Sequence, residues 1–161
     1  MNTLISTDSI SSDSQHQHQD RFTARLGRPL PTALHAEAAG MSWSTFTSTF
    51  APTSGPIRLG SWTSDRGPDD LLFCRATIAD GDTISALTAT ASGPIGALTD
   101  MLYQLGAGLE IISIHQYDHA GAVVIFLRCN RDGRQTWAMG TGTNSEDSSL
   151  GALIAAANRL S

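Results

Sequence analysis

His115 and His119 flank Tyr117 and Asp118, and these are residue types from which a site can be built. On an extended strand His115, Tyr117 and His119 share one face. Two imidazoles beside a carboxylate could ligate a divalent metal or work as an acid–base pair. A strand end whose histidines meet solvent or a ligand carboxylate uses the same residues, and it is the simpler account. His16-Gln17-His18 has the His-x-His spacing of half a metal site but lacks a third ligand nearby. Ser92 precedes Gly93-Pro94 without the Gly-x-Ser-x-Gly elbow or a placed histidine base, so it is not read as a nucleophile. Cys74 and Cys129 form no Cys-x-x-Cys pair and lie in apolar runs. Two buried thiols acting as small hydrophobes are expected. The residues thus offer no catalytic constellation, and no metal or cofactor is expected.

The totals narrow the class. A chain of 161 residues is one domain with appendages. Its formal net charge is −5, and its ten basic residues are scattered arginines. Nucleic-acid binding is therefore excluded, because phosphate contacts need clustered positive charge. No apolar run approaches the roughly 18 residues of a membrane span. No basic segment followed by an apolar one opens the chain, so the cytoplasm is the expected location.

The elements that position these residues repeat. A threonine-rich strand runs into Ala91-Ser92-Gly93-Pro94-Ile95-Gly96-Ala97-Leu98 and an apolar helix runs out of it. A weaker copy returns as Gly140-Thr141-Gly142-Thr143 followed by Asp147-Ser148-Ser149-Leu150. Alternation predicts strands over 57–63, 71–79 and 83–90 and then, in the second copy, over 109–117, 122–129 and 135–141. Asp65-Arg66-Gly67-Pro68, Asp80-Gly81 and Asp132-Gly133 read as turns. Ile95, Leu98, Leu102 and Leu105 keep helical spacing after Gly93-Pro94, and Leu150, Leu153, Ile154, Ala157 and Leu160 do so near the end. N-cap candidates for the last helix lie in Ser145-Glu146-Asp147-Ser148.

The predicted fold is α+β: two pseudo-twofold-related β-β-β-α units over 57–161, preceded by a helical linker subdomain over 25–56 and a disordered tail over 1–24. In the linker, prolines break any helix before Pro31, a short helix follows over 32–39, and Ser42 caps another. Trp43, Phe46 and Phe50 fall on one face of it. That face is expected to pack on the main domain rather than on a partner chain. Each unit leaves sheet edges open, and a symmetric homodimer is the expected way to cover them. A small-molecule crevice would lie where the units meet.

Gly93-Pro94-Ile95-Gly96-Ala97, the strand from Ile111 to Ala120, the Gly140-x-Gly142 pair and the closing Ala155-Ala156-Ala157-Asn158-Arg159 resemble a known family. They are similar to the C-terminal regulatory domain of 2-isopropylmalate synthase, which binds leucine and dimerises. The segment 43–56 is similar to the linker subdomain that precedes that domain in actinobacterial enzymes. The resemblance implies an amino-acid effector bound where units meet across a dimer. By matching position, Ile95, Gly96, Ile111, Ile114, Gln116, Ala120, Ala122 and Val124 would line its pocket. It also implies that acetyl-CoA and a 2-oxo acid are condensed elsewhere, in a metal-holding TIM barrel. Arg131-Asp132-Gly133-Arg134-Gln135 mimics that barrel's Arg-Asp-Gly-x-Gln signature but serves here as a turn. The expected function is a stand-alone regulatory and dimerisation module, not catalytic by itself, in leucine biosynthesis. The alternative is a non-catalytic small subunit of a 2-isopropylmalate or homocitrate synthase, docked on a full-length or barrel-only chain through the aromatic helix.

Overall fold

The computed structural model describes residues 21–161; His16-Gln17-His18 and the first twenty residues of the predicted tail lie outside them. Residues 21–26 are helical (α1) and bury Phe22 and Leu26. The predicted tail over 1–24 therefore ran four residues too far. Phe22 is the cause: its ring sits 4.8 Å from Phe46, an anchor that the polar composition around it conceals. Helix α2 spans Thr32–Glu37 and α3 spans Trp43–Phe50. As the sequence implied, Ser42 caps α3, its hydroxyl accepting from the Thr45 amide at 3.1 Å.

Two three-stranded antiparallel sheets follow, each closed by a helix. The first contains β1 (Ile57–Arg66), β2 (Leu72–Asp80) and β3 (Thr83–Ala91), with α4 at Pro94–Gln104. The second contains β4 (Glu110–His119), β5 (Ala122–Arg131) and β6 (Arg134–Gly142), with α5 at Ser145–Arg159. The predicted pair of β-β-β-α units is thus present. Asp65 and Arg66 extend β1 instead of turning it, pairing with Phe73 and Leu72. The chain reverses at residues 67–71, where Asp70 takes φ 62° and Arg66 grips the Asp70 carboxylate at 2.9 Å. Between β2 and β3 the loop is Gly81-Asp82, one residue later than predicted, with Gly81 supplying the positive φ at the first position. Asn144, not a residue of 145–148, caps α5 and accepts from the Asp147 amide at 2.8 Å.

Helix α4 lies on the first sheet, α5 lies on the second and reaches β1, and the helices touch each other. A single apolar core consequently runs through both units, from Cys74 and Ile78 through Leu98, Met101 and Leu102 to Leu153, Ile125 and Leu127. Two features draw α5 inward. A methyl group on Gly140 would collide with the Ser148 carbonyl and the Ala152 amide, so β6 and α5 meet backbone to backbone. Asn158 closes the far end: its side chain accepts from the Ile57 amide at 2.8 Å and donates to the Ile57 carbonyl at 2.9 Å.

The two sheets differ in their cover. Helices α1–α3 lie across the outer face of the second sheet, where Phe22, Leu26, Leu34, Phe46 and Phe50 pack with Tyr117, Val124, Phe126 and Met139. The aromatic face of α3 is therefore used within the chain, as expected, with Phe46 6.2 Å from Phe126. On the first sheet the corresponding side leaves Phe73 and Ile84 exposed. No helix among the described residues is long and apolar enough to cross a membrane.

Gly140→Ala is expected to destabilise the chain by about 1–3 kcal/mol, since the colliding atoms are backbone and cannot rotate away; urea denaturation measures it. Both cysteines are free and buried. Burial pushes the Cys129 thiol up to about 12 and raises that of Cys74, which Glu146 and Asp65 raise further. Folded protein then retains protons that unfolded chain releases near pH 9, so stability falls as the pH climbs from there towards 12. Native protein at pH 8 is expected to leave both thiols unreacted with a thiol-specific disulfide reagent, and to yield two equivalents once unfolded.

Candidate functional site

The start of α4 is built as the sequence implied. Gly93 is the extended N-cap residue without a side-chain cap, and Pro94 occupies the first turn. The Ile95 and Gly96 amides lie in that turn, where no intrahelical acceptor reaches them. Ile95 is half-buried against the common core, as is Ile111 at the start of β4. A methyl group on Gly96 would stand 3.2 Å from the Ala91 side chain, so this glycine leaves a small recess.

A bulge at Ile112 separates the pairs Ile111↔Cys129 and Ser113↔Arg128. Past it, Ile114 faces with Leu127 and Gln116 with Ile125, on the side of the sheet that meets α5. Ile112 and Ile114 remain 46% and 48% exposed, a large fraction for isoleucines beside a core. Gln116 accepts from the Ser145 hydroxyl at 3.1 Å and donates to the Asp118 carboxylate at 3.2 Å. The start of α5 and the middle of β4 are thereby joined by a polar bridge.

The eight residues proposed for one pocket are divided by the sheet. Ala120 forms the tip of the β4–β5 hairpin with φ 51°, followed by Gly121 at φ 79°. A two-residue turn pairs His119 with Ala122 and Tyr117 with Val124. Ala122 and Val124 therefore occupy the opposite face from Ile111, Ile114 and Gln116, and Val124 is buried beneath the N-terminal helices. The β5 residue on the Ile111 side is Val123: it pairs with Asp118, packs on the common core, and its carbonyl lies 2.7 Å from the Ser148 hydroxyl. The pairing rule for a two-residue hairpin carries this information, and counting from the turn selects Val123.

The histidines go to separate neighbours. His115 lies 5.8 Å from the Trp137 ring, whereas the His119 ring abuts Gly27. Among the described residues no three of His, Cys, Asp and Glu are gathered as metal ligands. Asp132 and Gly133, with φ 52° and 81°, form the β5–β6 turn anticipated for the Arg-Asp-Gly segment. Sequence reasoning missed a cavity of about 540 Å³ on the outer face of the second sheet. Its walls include Arg28, Pro29, His115, Tyr117, Arg128 and Trp137. The Tyr117 hydroxyl donates to the Pro29 carbonyl at 2.7 Å, and burial raises the Tyr117 pKa although nearby Arg28 lowers it.

Fold and geometry define a duplicated β-β-β-α module with a helical cover on one sheet. No family model matches the chain, but proteins of known name do. It is 30% identical to the 2-isopropylmalate synthase of Leifsonia xyli subsp. xyli over 114 residues, 65% of this chain and 18% of that one. With the 2-isopropylmalate synthases of Arthrobacter sp. and Pseudarthrobacter chlorophenolicus the identities are 26% and 28%, each match covering 92% of this chain and 28% of the relative. The chain is a relative of 2-isopropylmalate synthase and spans less than a third of the length of these curated relatives.

Ala120 adopts a left-handed conformation that costs a non-glycine residue about 1–2 kcal/mol. Ala120→Asn makes the turn Asn-Gly, whose first residue tolerates that conformation, and is expected to raise the thermal midpoint by a few degrees in a calorimetric melt.

Proposed function

We propose that this chain is a regulatory and dimerisation module corresponding to the C-terminal part of 2-isopropylmalate synthase. It binds a small branched-chain amino acid, leucine foremost, and serves leucine biosynthesis in the cytoplasm. The observation that carries this reading is the match itself. It takes in 92% of the chain but 28% of the enzyme, and the matched length folds as two β-β-β-α units.

The effector lies on the face of β4 that carries Ile111, Ile114 and Gln116, with Val123 from β5 and with Ile95 and Gly96 at the α4 start. Isoleucine side chains suit a branched aliphatic group. The free amides of the first helical turn suit its carboxylate. Half-exposed Ile112 and Ile114, with exposed Ile84 and Phe73, supply apolar surface for a second copy of the chain, which completes the crevice. Condensation of acetyl-CoA with a 2-oxo acid is not performed by these residues; it belongs to a barrel-bearing polypeptide whose activity the module adjusts. Burial of Phe46 and Phe50 with Phe126 favours this reading over the small-subunit alternative, which would dock through the same aromatic face.

Calorimetric titration with leucine, isoleucine, valine and lysine tests the sensing role. Saturable heat from leucine, weakened at least tenfold in Ile114→Glu, is the expected result; flat titrations with all four remove the role. Light scattering coupled to size exclusion is expected to give twice the chain mass, and Ile114→Glu is expected to shift it towards the monomer.

A further inference from the structure

We propose that the cavity between residues 28–33 and the outer face of the second sheet binds a short dicarboxylate, gripped by Arg28 and Arg128. Arg28 and Arg128 both line it together with His115, and among the described residues no acidic one does. That composition runs against the chain, which has fifteen acidic residues to ten basic and a net charge of −5. Neither arginine has a carboxylate partner among the described residues, whose ion pairs join Arg66 to Asp70 and Arg75 to Asp65.

The rest of the wall holds the Arg28 charge in place. Arg28 lies over the Tyr117 ring at 4.6 Å, a contact that holds a guanidinium without neutralising it. Tyr117 is in turn fastened to the 28–33 segment by its bond to the Pro29 carbonyl. Trp137 is 3% exposed, and its indole N–H is a buried donor with no acceptor among the described residues. Buried donors ordinarily have partners, and this one belongs to a residue of the cavity wall. Each guanidinium presents a planar fork that fits one carboxylate. Two forks on one cavity select a ligand with two carboxylates, and about 540 Å³ falls within the range of small-molecule sites. The site is on the opposite face of the sheet from Ile111, Ile114 and Gln116, so it does not depend on the effector reading.

The test is calorimetry on the full chain in a buffer free of phosphate and carboxylate, with sodium chloride matching ionic strength. Succinate and L-malate are the probes; inorganic phosphate and leucine are separate arms. Saturable binding of a dicarboxylate is expected, weakened at least tenfold by Arg28→Gln and by Arg128→Gln, lost in the double variant and unchanged in Ile114→Glu. Arg28 is exposed, so Arg28→Gln leaves the fold intact and remains decisive if Arg128→Gln does not fold. Silence from both dicarboxylates overturns the proposal, whether or not phosphate binds, and so does dicarboxylate binding that survives Arg28→Gln. Leucine heat that persists in the double variant leaves the effector reading standing whichever way the dicarboxylate arm falls.

Discussion

The backbone contact between β6 and α5 at Gly140 governs the rest of the structure. A side chain there would push α5 away from the sheet, and α5 is the element that both units share. Its buried surface is mostly small, with Ala152, Ala155, Ala156 and Ala157 between Leu150, Leu153 and Leu160. Small residues bring the helix axis close, and the leucines then reach far enough to fill the space beside α4 and β1. Burial of apolar side chains gives this arrangement its free energy. The Asn158 bonds to Ile57 add direction, because they satisfy both polar groups of the first residue of β1.

The unequal cover of the two sheets follows from the same packing. Helices α4 and α5 occupy one face of each sheet, so each has one face left. On the second sheet the aromatic side chains of α1 and α3 fill it. Arg159 joins them there, its guanidinium 4.8 Å from the Phe50 ring and its pKa lowered by burial. Strand β5 is then apolar on both faces, and Val124, Ile125, Phe126 and Leu127 are buried in succession. Strand β2 alternates instead, with Leu72, Cys74, Ala76 and Ile78 buried and the residues between them at the surface or half-buried. A continuous apolar run and an alternating one are the signatures of a strand covered twice and a strand covered once.

That contrast explains how much of the molecule was legible in the sequence. Strand order, helix starts and the duplication rest on periodicity and on Gly-Pro or Asp-Gly punctuation, which are local properties, and they were readable. The aromatic face of α3 was readable because three large rings at helical spacing cannot stay in water. Residues 21–24 were not, since Phe22 acts through a partner 24 positions away. The polar Asp-Arg pair in β1 was mistaken for a turn because its stabilisation comes from pairing and from Asp70, not from composition. The candidate site was divided for a different reason. Carrying positions across by resemblance ignored strand parity, although the Ala120-Gly121 turn fixes which residues of β5 face Ile114. The Arg28–Arg128 cavity had no sequence signature, since its walls are a hundred residues apart and meet only when α1–α3 fold over the sheet.

The second sheet therefore separates two regions of different chemistry within the thickness of one strand layer. On one side Ile111, Ile114 and Val123 present aliphatic surface beside the polar bridge from Gln116 to Ser145. On the other, arginines and aromatic rings surround a cavity. Strand β5 has little freedom to move relative to either, being hydrogen-bonded on both edges and packed on both faces. Close-packed interiors transmit displacement instead of absorbing it. Any shift of β4 against α5 must carry Tyr117 with it, because Gln116 and Tyr117 are consecutive on one strand and point to opposite sides. Tyr117 is bonded to Pro29 and lies under Arg28, so the same shift would reach the N-terminal helices. The β4–β5 hairpin is thus the one strand layer that the two faces share.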